Sequence, residues 1–278
     1  MKILLCFLLL VPAARCQDAR EETITRTLRF SVSGTERSLL VDNIQGSIMV
    51  TSHEGETVEM TAIRRTRAKS EIKFQEAAED VVLDIQEQRS RIEIVVDAPW
   101  RDRWNGRYSR GERYYGYEVS FDFELKVPKT LNLYLHTVND GDIKVRDVNG
   151  EFEIKNVNGN VTMTGISGAG HASSVNGSLQ IGFRVNPADE CTFRTVNGSV
   201  EVFFQDPLAA ELLLKTFNGK AYTDFDVTAA PRTIPTIKEK RGKKIYRGGD
   251  AYIVRTGGGG PQLAFDTLNG SIRILKHQ

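Results

Sequence analysis

Apolar and polar residues alternate along most of this chain, which is the pattern of half-buried β-strands. Between positions 151 and 155, for example, Phe152 and Ile154 alternate with charged residues, and the same two-residue period recurs after most turns. Only the stretch near 70–80 has a spacing close to that of a helix, with Ser70 in place to cap it. The pattern therefore predicts an all-β protein with one short N-terminal helix.

A Val-Asn-Gly tripeptide or a close variant follows many of these predicted strands. Its glycines stand at positions 150, 159 and 177 and then at 198 and 219, so the interval is a multiple of nine at first and 21 later. Asn-Gly suits tight turns because both residues tolerate positive φ. We interpret the repeats as structural corners. The predicted corners are Asn149 and Gly150, Asn158 and Gly159, Asn176 and Gly177, Asn197 and Gly198, Asn218 and Gly219, and Asn269 and Gly270.

Two architectures are compatible with these corners. In an antiparallel meander each Asn-Gly would close a hairpin, whereas in a parallel β-solenoid each would turn the chain between stacked coils. The solenoid is favoured because like residues at one offset would stack on each other about every 4.8 Å. The sequence therefore predicts a single-stranded parallel β-solenoid (β-helix), with one ladder of asparagines and an inward ladder of the preceding apolar residues, such as Val157 and Val175.

Segments of different composition divide the chain. The predicted organisation is a signal peptide at 1–16, N-terminal β coils at 17–98, an Arg/aromatic loop insertion at 99–118, and solenoid repeats at 119–278 with a basic insertion at 230–250.

The first residues have the pattern of an export signal. Lys2 precedes the apolar run 3–11, which is too short to span a bilayer as a helix. Cleavage after Cys16 would leave Gln17 at the N-terminus. Acylation of Cys16, as in a lipoprotein, is the alternative, and Arg15 disfavours it. The sequence therefore predicts an exported protein that is periplasmic, displayed at the cell surface or secreted.

Composition excludes some classes of function. A content of 40% hydrophobic and 26% charged residues is typical of a globular protein, and a net charge of +1 predicts no nucleic-acid binding. Cys191 has no Cys or His at metal-ligand spacing, so we expect a buried apolar side chain. The four histidines are scattered. No cofactor and no metal site are predicted.

The Arg/aromatic loop interrupts the strand pattern. Arginines interleaved with aromatic residues can stack on sugar rings or lie at a lipid headgroup layer. The alternative is a connecting loop whose aromatic side chains fold back on the sheet. The basic insertion can likewise contact an anionic lipid or polymer, although a solvated loop is the simpler interpretation. The candidate ligand-binding residues are Trp100, Arg101, Trp104, Arg107, Tyr108, Tyr114 and Tyr115.

The order of these features resembles one family. Val127–Pro128 before the repeats, the serial Asn-Gly corners, and a Gly-rich turn at 257–260 before a final Asn-Gly strand are similar to the bacterial putative-adhesin domain family. The resemblance covers roughly residues 28–276. It implies a cell-envelope β-solenoid of unknown function and brings no catalytic residues.

We therefore expect a non-enzymatic exported protein that presents a rigid surface in the cell envelope, as an adhesin, scaffold or sensor. Its partner would be an envelope polymer, a surface glycan or another envelope protein, and membrane association would need lipidation or the basic insertion. One alternative is a polysaccharide-binding protein that uses the Arg/aromatic loop. A second is a carbohydrate-active enzyme using carboxylates such as Asp140, Asp142 and Asp147. The oligomeric state and the handedness of the coil stay open.

Overall fold

The computed structural model describes residues 18–32, 37–101, 115–229, 238–240, 243–245 and 252–277. Within these ranges the chain forms one helix, α1 (Glu71–Asp80), and 23 strands, numbered along the chain. Two of these strands, β19 (Lys238–Lys240) and β20 (Lys243–Ile245), pair only with each other. The predicted signal peptide lies outside the described residues, as does most of the predicted basic insertion.

The other strands form two large sheets. Sheet A has ten strands, in the spatial order β1 (Asp18–Arg29), β4 (Thr57–Ala68), β7 (Tyr117–Pro128), β3 (Ile48–His53), β9 (Ile143–Arg146), β11 (Val161–Ile166), β13 (Leu179–Phe183), β15 (Val200–Phe204), β23 (Ile272–Lys276) and β17 (Ala221–Thr223). Sheet B has eleven, in the order β18 (Val227–Ala229), β21 (Tyr252–Thr256), β16 (Ala210–Asn218), β22 (Gln262–Asn269), β14 (Cys191–Asn197), β12 (Gly170–Asn176), β10 (Phe152–Asn158), β8 (Asn132–Thr137), β2 (Ser38–Asp42), β6 (Arg91–Asp97) and β5 (Val82–Glu87).

The prediction of a single-stranded parallel β-solenoid is wrong, because both sheets are mixed. In sheet A, β4 is antiparallel to β1 and β7, and in sheet B, β5 pairs antiparallel with β6 and β21 with β16. The spatial order also departs from the chain order. The last strands, β22 and β23, lie between the pair β14 and β15 and the pair β16 and β17. A sequence period indicates which residues are equivalent, but not which strands become neighbours.

The central strands are nevertheless parallel and in register. Each strand of sheet B from β8 to β14 is followed, after a corner, by a strand of sheet A, and we call such a pair a rung. Equivalent corner residues face each other across the rungs, as Asn176 does with Asn158 on one side and Asn197 on the other. The repeated sequence therefore places repeated residues side by side within the parallel region.

The core lies between the sheets and is filled by their inward side chains. Aromatic residues of neighbouring rungs pack on each other: the Phe183 and Phe204 rings are stacked with centroids 5.2 Å apart, and Phe193 and Phe265 are 5.3 Å apart. All four are at most 1% exposed. Each such side chain contributes about 1.5–3 kcal/mol through burial, so the rungs are held together by apolar contacts as well as by backbone hydrogen bonds.

The predicted inward ladder of apolar residues just before the corners is also wrong. Val175 is 39% exposed and Phe217 is 77% exposed, because strand residues alternate between the two faces. The inward position is therefore one residue earlier, where Ser174 is only 3% exposed. Val148 is 4% exposed, but it precedes a corner at which the chain returns from sheet A to sheet B.

The helix α1 lies within the stretch in which the sequence predicts one. The Ser70 hydroxyl accepts a hydrogen bond from the Lys73 backbone N–H at 3.4 Å, which caps the first turn. Phe74 and Ala77 are buried against β4 and β7, and the Arg20 guanidinium lies 4.1 Å from the centre of the Phe74 ring. The helix thus covers the end of sheet A that has antiparallel strands.

Candidate functional site

The outward side chains of sheet B form straight rows across the parallel strands. Tyr134 of β8, Glu153 of β10, His171 of β12 and Thr192 of β14 are in register and form one such row. Neighbouring strands in a sheet lie about 4.8 Å apart, so this row has a regular spacing. Outward residues that follow one another along the chain are divided between the two sheets. Glu151, Glu153 and Lys155 belong to the sheet B side, whereas Thr162 and Thr164 belong to sheet A.

A groove of about 780 Å³ opens over this row, and we call it the acidic groove. Part of its floor consists of glycines. A Cβ at Gly170 would lie 1.9 Å from the Phe152 carbonyl oxygen, and one at Gly168 would lie 2.2 Å from the Gly150 carbonyl oxygen. Close backbone packing therefore requires glycine, and the missing side chains leave the groove open. Its lining residues are Thr130, Asn132, Tyr134, Gly150, Glu151, Phe152, Glu153, Gly168, Ala169, Gly170, His171, Asp189 and Glu190.

The charge of the acidic groove is negative. Carboxylates line it on β10 and on the segment before β14, where Asp189 and Glu190 are exposed. Lys155 pairs with Glu153, which leaves Glu151 and the two acids before β14 as an excess of negative charge. A concave surface with one sign of charge attracts ligands of the opposite sign. This groove has no motif in the sequence, because its lining residues come from four separate segments.

The Arg/aromatic loop is described only at its two ends. Trp100 and Tyr115 are half-buried against the core with ring centroids 5.0 Å apart, and Tyr117 lies 5.9 Å from Tyr115. The Tyr117 hydroxyl donates to Asp80, and burial together with that carboxylate raises the pKa of Tyr117. Of the predicted ligand-binding residues, Trp104, Arg107, Tyr108 and Tyr114 lie outside the described residues. The described aromatic side chains anchor the loop to the fold.

Arg101, also predicted to bind a ligand, makes contacts within the fold. Its guanidinium forms an ion pair with Asp42 and donates to the Val96 carbonyl at 2.6 Å. The other oxygen of the Asp42 carboxylate lies 3.0 Å from Nδ1 of His136. Burial lowers the pKa of His136, and the positive charges of Arg101 and Lys155 lower it further. This cluster fixes β2, β6 and β8 to one another in sheet B.

The corner asparagines form a continuous hydrogen-bonded column, which we call the asparagine ladder. Each side-chain amide donates to the amide oxygen of the next rung. The donors and acceptors are Asn158 to Asn139 at 3.0 Å, Asn176 to Asn158 and Asn197 to Asn176 at 2.8 Å, and Asn269 to Asn197 and Asn218 to Asn269 at 2.7 Å. Asn149 is not part of this column. It lies at the corner between β9 of sheet A and β10 of sheet B, where its side-chain oxygen accepts a hydrogen bond from the Arg184 guanidinium.

The corner glycines are required mainly by close contact. The predicted reason, positive φ, applies to Gly150 with φ 145° but not to Gly177 or Gly198. At Gly177 a Cβ would lie 2.0 Å from the carbonyl oxygen of Gly159, the equivalent residue one rung away. Successive corners therefore pack backbone on backbone, and any side chain would separate them.

A second column of polar side chains runs inside the corners, and we call it the inner ladder. Each member lies two positions before a corner asparagine and bonds to a glycine carbonyl of the neighbouring corner. These bonds join Thr137 to Gly46, Asn156 to Gly141 and Ser174 to Gly159 at 2.8 Å, Thr195 to Gly177 at 2.7 Å, and Thr267 to Gly198 and Thr216 to Gly270 at 2.9 Å. Recurring Thr, Ser or Asn at an inward position was a signal that the sequence interpretation missed.

The carboxylates considered for an enzyme site stabilise turns. Asp142 accepts from the Asn160 backbone N–H at 2.8 Å, and Asp140 accepts from Gln45 at 3.2 Å. Asp140 and Asp147 both have positive φ, at 52° and 58°. In the described part of the chain, no group of three or more His, Cys, Asp or Glu residues could hold a metal ion.

The cysteine of β14 lies in the core. Cys191 is buried, and burial raises the pKa of its thiol to about 11. This agrees with the apolar role expected from the sequence.

The described helix is not of the length and apolarity that a membrane-spanning helix needs.

Comparisons with known proteins give distant likenesses. No family model and no curated protein match the chain. Among solved structures, a putative cell adhesion protein from Clostridium sporogenes is 13% identical with a TM-score of 0.41, over 93% of this chain and 100% of its own. A putative adhesin from Bacteroides fragilis is 10% identical with a TM-score of 0.40, over 92% and 97% of the two chains.

A third match is a putative lipid binding protein from Parabacteroides distasonis, 10% identical with a TM-score of 0.26, over 92% of this chain and 97% of its own. The first two names agree with the resemblance found in the sequence, while no family model supports it. With such low TM-scores, these likenesses define neither the fold nor the function of the chain.

Proposed function

We propose that this chain is an exported, non-enzymatic protein that presents a rigid surface in the cell envelope, in the manner of an adhesin or a scaffold. The observation that carries this proposal is the pair of ladders at the corners. The asparagine ladder and the inner ladder link each parallel rung to the next. Because the rungs are fixed, the outward rows of side chains are fixed as well. The leader predicted from the sequence supports export.

The outer face of sheet B is the surface that we propose makes contact. It contains the acidic groove, which is concave, has a regular row of side chains and carries an excess of carboxylates. Tyr134 adds an aromatic ring, and the Arg91 guanidinium lies 5.7 Å from the centre of that ring. An extended polymer with positively charged groups, such as an amino-sugar chain, is the ligand whose chemistry this face complements.

Binding of defined oligosaccharides tests this proposal. The probes are a glucosamine hexamer, which is cationic, an N-acetylglucosamine hexamer, which is neutral, and a mannuronate hexamer, which is anionic. We expect only the cationic oligomer to bind, and its affinity to fall as salt rises because the attraction is electrostatic. Calorimetry or fluorescence titration of the full chain measures this.

Charge variants locate the contact. The double variant Glu151→Gln and Glu190→Gln is expected to weaken binding of the cationic oligomer about tenfold, a loss of about 1.4 kcal/mol. The matched control is Glu201→Gln with Glu124→Gln, which removes the same charge from strands of sheet A. Equal affinities in both double variants, or equal binding of all three oligomers, would refute the groove as the contact surface.

A further inference from the structure

Every Asn-Gly corner contains the two groups of a self-modification reaction. The glycine backbone nitrogen can attack the Cγ atom of the preceding asparagine side chain, since glycine has no Cβ to hinder the approach. Such an intramolecular step depends on whether the reacting groups are free to reach an attack geometry at about 3–3.5 Å. The hydrogen bonds of each corner therefore decide its reactivity.

At the interior corners of Asn176 and Asn197, both reacting groups are held. The Asn176 side chain donates to Asn158 at 2.8 Å and accepts from Asn197 at 2.8 Å. The nitrogen of Gly177 donates to the Asn197 carbonyl oxygen at 3.0 Å. Attack would have to break all of these bonds. The Asn197 corner is held in the same way, since the nitrogen of Gly198 donates to the Asn269 carbonyl oxygen at 3.0 Å.

The corner at Asn218 is held less firmly, because it is the last step of the asparagine ladder. Its amide donates to Asn269 at 2.7 Å, but its own side-chain oxygen accepts no hydrogen bond from the described residues. Among the same residues, the nitrogen of Gly219 makes no turn or loop hydrogen bond to a backbone carbonyl, and neither does that of Gly270. The Asn269 side chain is bonded on both sides, so the unbonded side-chain oxygen is what distinguishes Asn218.

The surroundings of this corner are also open. The strand that follows it, β17, has only three residues and forms the edge of sheet A. The preceding residue, Phe217, is 77% exposed. The pairing of β16 with β21 ends at Leu214, before the corner is reached. Reorientation of the Asn218 side chain therefore disturbs less structure than the same motion at an interior corner.

We propose that Asn218 and Gly219 form a spontaneous modification site, where the asparagine deamidates ahead of the other corner asparagines of the ladder. A bond forms between the Gly219 nitrogen and Cγ of Asn218, and the bond from Cγ to Nδ2 breaks. The nitrogen loses its proton, and the side-chain nitrogen leaves as ammonia. Water then opens the succinimide at either carbonyl carbon, which gives aspartate or isoaspartate, and no oxidant or reductant is needed.

The modification changes the end of the ladder. A carboxylate at position 218 cannot donate to the side-chain oxygen of Asn269, so the last bond of the asparagine ladder is replaced by repulsion between oxygens. Isoaspartate also adds a backbone carbon at the corner between β16 and β17. The last rung is thereby loosened, while the interior rungs keep their hydrogen bonds.

Peptide mapping of the folded full-length protein tests this inference. After incubation at mildly alkaline pH, mass spectrometry follows the conversion of each Asn-Gly pair, and isoaspartyl methyltransferase labelling identifies the isoaspartate. We expect Asn218 to react at least about tenfold faster than Asn176 or Asn197, as follows from the additional hydrogen bonds that hold those corners. The same protein in concentrated urea is the control, in which the rates should become similar.

A variant tests whether the ladder is the protecting element. Asn269→Ala removes the donor to the side-chain oxygen of Asn197 and should accelerate reaction at Asn197 without changing the rate at Asn158. Reaction of Asn176 or Asn197 as fast as Asn218 in the folded wild-type protein would overturn the proposal. An unchanged deamidation rate at Asn197 in Asn269→Ala would show that the asparagine ladder is not what protects the interior corners.

Discussion

At the scale of single residues, the inner ladder explains why a polar side chain occupies an inward position before each corner. Thr195 is 2% exposed, and its hydroxyl donates to the Gly177 carbonyl oxygen at 2.7 Å. Burying a carbonyl without a donor costs free energy, so the hydroxyl satisfies a group that the tight corner removes from water. The same arrangement holds Ser174 and Thr267. The inner ladder is thus a polar seam within an apolar core.

Replacing Thr195 with valine tests the value of one bond in this seam. Thr195→Val keeps the shape but leaves the Gly177 carbonyl oxygen without its donor, so the free energy of unfolding should fall by about 1–3 kcal/mol. Thr195→Ser retains the hydroxyl, so its free energy of unfolding should fall by a smaller amount. Urea unfolding followed by circular dichroism measures both. The control is Thr192→Val on the outward face of the same strand, and an equal loss in Thr192→Val would contradict the argument.

The cluster around His136 predicts a pH dependence. The neighbours of its ring are Asp42 on β2, Arg101 after β6 and Lys155 on β10. Asp42 alone would favour a charged imidazole, but Arg101 already neutralises that carboxylate. Burial and the two cations therefore dominate, and the pKa of His136 lies below its usual value of 6.5.

The sign of the effect follows from proton linkage. Below pH 6.5 the unfolded chain binds a proton at position 136 that the folded protein still excludes. The stability that neutral His136 contributes is complete above this pH and is lost as the pH falls toward the folded pKa. Urea unfolding from about pH 5 to 8 should show a shallower pH dependence in His136→Gln. The exposed His171→Gln is the control, and identical profiles for wild type and His136→Gln would disprove the linkage.

At the scale of elements, the corners are built by contact between backbones. Gly177→Ala would place a Cβ 2.0 Å from the Gly159 carbonyl oxygen, so the rungs must separate. We expect a loss of about 1–3 kcal/mol in the free energy of unfolding, the usual cost of overpacking. Gly258→Ala is the matched control, because a Cβ there meets no atom within 4 Å. Thermal unfolding compares the two, and equal midpoints would show that the corners tolerate a side chain.

The sequence predicted strands and corners well, because both are local properties. Alternation of apolar residues and the Asn-Gly pairs placed Asn176 and Asn197 at equivalent positions, and the structure joins them by a hydrogen bond. Strand order is not local. Nothing in the repeat shows that β22 lies between β14 and β16, or that β4 runs antiparallel to β7. The predicted inward direction of Val175 is wrong, because the two-residue strand period places this apolar side chain on the outward face.

The candidate site was less predictable than the fold. Composition favours the Arg/aromatic loop as a binding segment, and the structure shows Trp100 packed against the core and Arg101 paired with Asp42. Ligand binding by these two residues stays a prediction. The acidic groove depends on register, since Tyr134, Glu153 and His171 are far apart in sequence and meet only through strand pairing. A surface of this kind has no motif, because its chemistry arises from neighbours across strands.

At the scale of the whole molecule, stability should vary along the stack of rungs. The strands from β10 to β15 have a parallel neighbour on each side and both ladders at their corners. Among the described residues, β17 at one end pairs with β23 alone, and at the edge of sheet B, β18 pairs with β21 alone. Local opening is easiest where fewest contacts are lost. The ends therefore open more readily than the centre.

Hydrogen exchange measured by mass spectrometry should show this gradient. We expect amides from β10 to β15 to exchange far more slowly than those of β17 and β18, because the central amides open only through larger cooperative units. Asn197→Ala breaks the asparagine ladder on both sides, at 2.8 and 2.7 Å, and should lower protection in both neighbouring rungs. Asn218→Ala removes one terminal bond and should affect only the last rung. Uniform protection across the strands, or a loss of protection that extends equally far in both variants, would mean that the rungs open together as a single unit. In that case the corners would not be what links each rung to the next.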